Sequence, residues 1–489
     1  MEHLIDDLQL DHTAPLQKQL YQDLSQRIMQ GRYAPGSRLP ASRQLAADQG
    51  ISRNTVNAVY DQLKAEGFLL AQAGKGIFVH PNLDTCRLRL TPPPVSREQL
   101  PTGTLPPIPQ RLPTKAISDK PDVTLPFTPG LPDLAAFPLR AWNQTLHHQE
   151  SRPHLRGYDS FQGYQPLREA IADYLRSSRG VRCHADQVII TQGAQQALAL
   201  VADVLLQPGH RVLSEDPGYR GARYALGRLG NPVIPVPLRD EVLDVDALHN
   251  AGPARLLYCT PTHQYPMGGI LDLTQRLTLL HWAHRNQTWI IEDDYDSEFH
   301  FHNKPFPAIQ GLLDEAPVLY LGSFSKSLLP ALRVGYLIVP DALVDHFVWA
   351  KRISSGESPL LIQAVIAEFM ASGQFIRHLR RMRHLYREKW NHFQALVTDQ
   401  LDGTVTPVAQ SAGMHLVLEG TFDDTALCNW LVSQGYGSTP LSAHFISNPE
   451  RQGLVMGFAS ANKQQRVDCV ARLTQWFKDN GRLPTGSRL

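Results

Sequence analysis

Two hydrophobic rhythms run along this chain, and the architecture changes where one gives way to the other. Leu16, Leu20, Leu24 and Ile28 recur every fourth position and stop at Gly31, which predicts one helix with a single apolar stripe. After the turn "YAPGSRLP" comes "ASRQLAADQGISRNTVNAVYDQLKAEG". Ala46 and Gly50 there suit the corner between two helices, a small residue at the crossing and a glycine free to take positive φ. Ser52 is placed to cap the second helix, which turns Val56, Tyr60 and Leu63 inward and Arg53, Asn54 and Asn57 outward near its start. "GFLLAQAGKGIFV" then reads as two short strands about the turn Ala73-Gly74-Lys75-Gly76.

From Pro81 the periodicity vanishes. "TPPPVSREQLPTGTLPPIPQRLP" is about one-third proline and predicts a semi-rigid linker over 81–122. Forty such residues, fully extended, would span roughly 130 Å. Beyond Pro121 short apolar runs alternate with helical stretches: "QVIIT", "RVLSED", "RLLYCT", "TWIIED", "VLYLGS" and "VGYLIV". That alternation predicts an α/β fold with a mainly parallel sheet and ligand chemistry at the strand C-termini. The large lobe runs over about 150–345, and 346–489 reads as a smaller α+β lobe. The domains expected are therefore 1–80, a linker over 81–122, and 123–489.

Composition changes this picture little. The 489 residues are 42% hydrophobic and 19% charged, with a net charge of +1, so attraction to nucleic acid must come from a local patch. The first domain supplies one, with eight Lys/Arg against four Asp/Glu between His12 and His80. Arg and Asn at the start of the second corner helix are good readers of guanine and adenine edges, and Lys75 would reach phosphate or minor groove. The five cysteines are scattered without a C-x-x-C pair, the N-terminus lacks a signal pattern, and no apolar run reaches membrane-spanning length. A cytoplasmic protein with no membrane partner is expected. Neither His281 with His284 nor His300 with His302 has a third ligand, and "DDYDSE" lacks the glycine of a calcium loop, so no metal site is expected. The basic run "RHLRRMRHLYREKW" has the spacing of a solvated or interface helix rather than a second DNA patch.

The strand ends carry the remaining chemistry. Gly193 opens a helix directly after a strand, where bare N–H groups favour phosphate. "IIEDDYDSEF" ends a buried strand in carboxylates, and Asp293 and Asp294 point to opposite sides of it. "SFSKSLLPALRVGY" sets Lys326 between serines, with Arg333 seven residues on. A lysine amine, a carboxylate, hydroxyls and an arginine are what pyridoxal phosphate needs for its aldehyde, ring nitrogen and phosphate.

These motifs carry two family resemblances. "GSRLPASRQLA", "ISRNTV" and "GKGIFV" resemble the GntR-type winged helix-turn-helix, which implies DNA contacts from Arg38, Arg43, Arg53, Thr55 and the wing glycines about Lys75, beside the Asn54 already expected to read a base edge. The stretch from about Val123 resembles fold-type-I, aspartate-aminotransferase-like enzymes. That resemblance implies Lys326 as Schiff-base lysine and Asp293 as partner of the pyridinium. It implies Tyr295 on the ring oxygen, Tyr219 stacked on the ring, and Gly193, Ala194, Ser323, Ser325 and Arg333 on the phosphate. The whole order, with "HQYPMGG" and "EDDYDSEF", resembles the MocR group of bacterial transcription regulators. It implies a head-to-tail homodimer that binds promoter DNA and responds to pyridoxal phosphate, or to an amine or amino acid reacting with it at Lys326. The alternative function is an active aminotransferase carrying an accessory DNA-binding module. Two departures bear on that choice. "THQYPMGG" replaces the usual Asn-Pro-x-Gly, and "LVMGFAS" has Val455 where such enzymes place the arginine that clamps a substrate carboxylate.

Overall fold

The computed structural model describes residues 15–72, 74–81, 125–301, 307–410 and 412–482, and the chain divides into two units, Met1–Pro107 and Ile108–Leu489. The linker expected over 81–122 lies, from residue 82, outside the described residues. Among those residues no single helix is long and apolar enough to cross a membrane.

In the first unit, helices α1 (Leu16–Met29), α2 (Ser42–Asp48) and α3 (Arg53–Ala65) precede strands β1 (Leu69–Gln72) and β2 (Gly76–Val79). The stripe Leu20, Leu24 and Ile28 packs on Leu45, Val56, Val59, Tyr60 and Leu63, while Leu16 is half-buried at the open end. Val59 joins the inward face beside the three residues expected there. Between α2 and α3, Gly50 takes φ +62°, the left-handed conformation that the corner requires. Ser52 caps α3, its Oγ accepting from the Thr55 backbone N–H at 3.0 Å. β1 and β2 form an antiparallel wing, Leu69 opposite Val79, and Arg38 adds a bridge to Phe78.

The second unit is built on an eight-stranded sheet. Its strands are β3 (Val188–Thr191), β4 (Val212–Asp216), β5 (Val233–Arg239), β6 (Val242–Leu243), β7 (Leu256–Cys259), β8 (Trp289–Asp294), β9 (Val318–Ser323) and β10 (Gly335–Ile338), in the order β3-β10-β9-β8-β7-β4-β5-β6. The pairs from β9 through β5 are parallel. β10 is antiparallel to both β3 and β9, and β6 to β5. β3, β4 and β7 are buried at every position, as a sheet covered on both faces requires. The smaller lobe is a four-stranded antiparallel sheet, ordered β11 (Thr406–Pro407), β12 (His415–Glu419), β14 (Gly453–Gly457), β13 (Thr439–Pro440). The 28-residue helix Gln374–Leu401 and the helix Lys463–Asp479 share its core.

Candidate functional site

At the carboxyl ends of the central strands lies a cavity of about 340 Å³. Lys326, Asp293, Tyr295, Tyr219, Ala194, Ser323, Ser325 and Arg333 all line it, so eight of the nine residues expected there meet in one place. Gly193, the ninth, sits just behind Ala194. It takes φ +92°, which calls for glycine, and lies in ordinary contact with the Arg333 guanidinium, a Cβ there falling 3.5 Å from it. The reversed direction of β10 explains how Arg333 arrives. Gly335 pairs with both Ser323 and Thr191, so the start of β10 lies beside the ends of β9 and β3.

One end of the cavity is made for an anion. The helix Ala194–Leu205 points its N-terminus there, Arg333 supplies positive charge, and Ser323 and Ser325 supply hydroxyls. The opposite requirement is met at Asp293, only 4% exposed. Its Oδ2 accepts from the Tyr258 hydroxyl at 2.6 Å, while Oδ1 is buried with no hydrogen-bond partner in the protein. Burial raises its carboxyl to about 7, against the lowering effect of Tyr258. A donor brought in by a ligand, such as a protonated ring nitrogen, satisfies that oxygen. Asp294 points away into an ion pair with Arg179, Nε to Oδ2 2.7 Å, with the Tyr320 hydroxyl on the same oxygen. Burial pushes the Asp294 carboxyl up, but Arg179 and the hydrogen bonds from Ser297 and Tyr320 together hold the group below its ordinary range. The pleat of β8 thus gives two neighbouring carboxylates opposite fates.

Lys326 leaves β9 on one turn, Phe324–Ser327, and donates from Nζ to the Gly130 carbonyl at 2.8 Å. Burial lowers its pKa, with Asp296 and Asp293 pulling the other way, so its free-amine form is more accessible than that of a surface lysine. The Tyr219 hydroxyl accepts from Gln195 at 3.1 Å, and the Tyr219 ring stands edge-on to Tyr265. The Tyr295 hydroxyl lies 2.8 Å from Nδ1 of His263, which also meets Asp296 at 3.0 Å. The turn after β4 is tied to the smaller lobe, Asp216 accepting from Ile446 and Ser447 and Arg223 donating to the carbonyls of His444 and Phe445.

Gly130 and His415 had no signal of their own in the sequence, and Tyr265 and Asp296 lay inside "HQYPMGG" and "EDDYDSEF" without a role assigned to them. Tyr258 reaches Asp293 through strand register: it pairs with Ile291, so Asp293 lies two residues along on the same face of the adjacent strand. The departure "HQYPMGG" has a structural reason in part. The Gln264 amide donates to the carbonyls of Pro217 and Tyr265, and its carbonyl accepts from the Met267 N–H. A larger cleft of about 610 Å³ lies between the helices Gln165–Arg179 and Leu360–Ala371 and contains none of this chemistry.

In the first unit, Arg43, Arg53 and Asn54 are exposed on the second and third helices, and Arg38 and Lys75 are exposed at the wing. Arg53 Nε lies 3.4 Å from Ser42 Oγ, and the Arg38 guanidinium lies across Gly76. Thr55 is half-buried, its hydroxyl 2.9 Å from the capping Ser52, and Asn57 is half-buried rather than outward.

The model of the aminotransferase class I and II family matches residues 128–446, and that of the bacterial regulatory proteins of the gntR family matches 16–79. The probable rhizopine catabolism regulatory protein MocR of Rhizobium meliloti is 37% identical over 494 residues, covering 98% of this chain and 97% of that protein. The pyridoxine biosynthesis transcriptional regulator PdxR of Corynebacterium glutamicum is 31% identical over 442 residues, covering 90% and 91%. Among solved structures, the α-aminoadipate aminotransferase LysN of Thermus thermophilus, complexed with N-(5'-phosphopyridoxyl)-L-leucine, superposes with a TM-score of 0.68 at 29% identity. That match covers 73% of this chain and 93% of that one.

Proposed function

The chain belongs to the MocR-type regulators, in which a GntR-family DNA-binding domain precedes an aminotransferase class I and II domain, and we propose that it binds promoter DNA under the control of pyridoxal phosphate held at Lys326. The observation that carries the cofactor reading is the Asp293 carboxylate, buried with one oxygen bare beside a lysine, an arginine and a helix N-terminus in one cavity. When bound, the cofactor supplies an aldehyde for the lysine amine and an electron-withdrawing ring. The protein's own part is positional. Arg333, Ser323, Ser325 and the Ala194–Leu205 helix would hold the phosphate, Asp293 would keep a proton on the ring nitrogen, Tyr219 would cover the ring, and Tyr295 would stand at the ring oxygen. A regulator in the cytoplasm, acting as a head-to-tail homodimer, accords with this reading.

Binding of the full-length protein to DNA upstream of its own gene, followed by fluorescence anisotropy with and without pyridoxal phosphate, tests the proposal. An affinity or complex size that changes with the cofactor supports it. Tight binding indifferent to the cofactor refutes cofactor control and points to an amine signal, whereas no specific binding refutes the regulator. In the same assay Arg53→Ala is expected to cost about 1–3 kcal/mol and to relax preference at one base position, as loss of a base-edge reader does. A uniform loss across sequences with a shallower salt slope would instead make Arg53 a phosphate contact.

A further inference from the structure

The charges around the cavity bear on what else enters it. Building on the cofactor reading above, we propose that the space before Lys326 admits ligands whose only anionic group is phosphate, pyridoxal phosphate itself or an amine lacking a carboxylate, and turns away α-amino acids.

Positive charge is scarce there. Arg333 is the one arginine among the described lining residues, and it stands at the phosphate end against Gly193. Arg223 is spent on the carbonyls of His444 and Phe445, and Arg220, by the Tyr224 hydroxyl at 3.5 Å, acts on Tyr265 and His444 without lining the cavity. Burial drives His415 down to about 4 and His444 to about 3, so both are neutral at physiological pH. His415 Nε2 is already engaged by the Pro266 carbonyl at 2.8 Å. Val455, where the family resemblance led us to expect an arginine, is fully buried on β14 and packs with Met267, Val417 and Leu441. Negative groups are not scarce, since Asp293 and Asp296 both line the cavity beside Tyr219, Tyr265 and Tyr295. An entering carboxylate would lose its water near Asp296 and meet no cation among the described lining residues beyond Lys326 and Arg333, while an ammonium group would find Asp296, shared with His263, on its side of the cavity.

The full-length protein loaded with pyridoxal phosphate provides the test. Its visible spectrum is followed at neutral pH during titration with ethanolamine, glycine and alanine. The expected result is a spectral change with ethanolamine at concentrations at least about tenfold below those needed with either amino acid. Asp296→Asn is expected to narrow that gap. A spectrum indifferent to all three confines the site to pyridoxal phosphate, which also supports the proposal. Glycine or alanine acting at the same or lower concentration than ethanolamine overturns it and leaves the cofactor reading intact. Failure to load with pyridoxal phosphate, seen before any amine is added, overturns both.

Discussion

Lys326→Ala protein, mixed with pyridoxal phosphate and passed through gel filtration, is expected to emerge without the visible absorbance of a lysine-bound cofactor, and its DNA affinity should no longer change with the cofactor. Lys326 is the one lysine among the described residues that line the cavity, so no other amine is placed to replace it. Burial favours its neutral form, while Asp296 and Asp293 draw a proton back. Under the proposed cofactor control, cofactor and operator alter each other's affinity equally, and couplings of this kind are about 1–3 kcal/mol. Deleting the amine removes the ligand side of that cycle while leaving Arg53, Asn54 and the rest of the first unit untouched. Residual affinity for DNA with its cofactor response erased is therefore the diagnostic result. A cofactor response that survives in Lys326→Ala would place the controlling site elsewhere.

Arg179→Ala should be the most destabilising single change near the site. Arg179 and Asp294 are 4% and 2% exposed, and Arg179 also donates to Thr262 Oγ1 at 3.0 Å. Removing the cation leaves a buried carboxylate without its counter-charge, which costs about 3–5 kcal/mol, readable as a loss of unfolding free energy in denaturant titration. The pH dependence has a defined sign. The folded-state pKa of Asp294 lies below its ordinary value, so the pair's contribution is full above the unfolded value near about 3.9 and fades as pH falls through the lower folded one. Without Arg179 burial is opposed only by the hydrogen bonds from Ser297 and Tyr320, so the folded pKa of Asp294 rises relative to the native pair and the variant should lose less stability on acidification than the native protein does. Arg179→Met combined with Asp294→Leu is expected to recover much of the loss. A fall of less than about 1 kcal/mol in Arg179→Ala, as for an exposed pair, would disprove this account.

What could be read in the sequence was whatever depends on neighbours along the chain. The four-residue stripe of α1, the Ser52 cap and the six named strands follow from local periodicity and turn chemistry. So does the split between Asp293 and Asp294, because alternation on β8 needs no knowledge of the partner strand. Groups brought together by crossovers were hidden. Gly130 meets Lys326 across 196 residues, His415 and His444 come from the smaller lobe to flank Tyr265, and nothing local in "TPGLP" or "LSAHF" announces it. Arg333 was legible as a phosphate residue through resemblance, but its route to the site depends on β10 running backwards. The strand-helix pattern, which predicts a mainly parallel sheet, does not specify the direction of one member.

That reversal has a consequence for how the chain can vary. The excursion from Ser323 to Gly335 is anchored at both ends by the same ladder, because those two residues face each other across β9 and β10. Surface connections ordinarily accept added or lost residues with little penalty. Here one extra residue must either bulge the excursion, shifting Lys326 relative to Arg333, or slip β10 by a register step. Such a slip would turn Leu337 and Tyr336 to the wrong faces of a sheet packed on both sides. The segment that carries the chemistry is therefore a loop whose length is fixed, free to exchange side chains but not to grow.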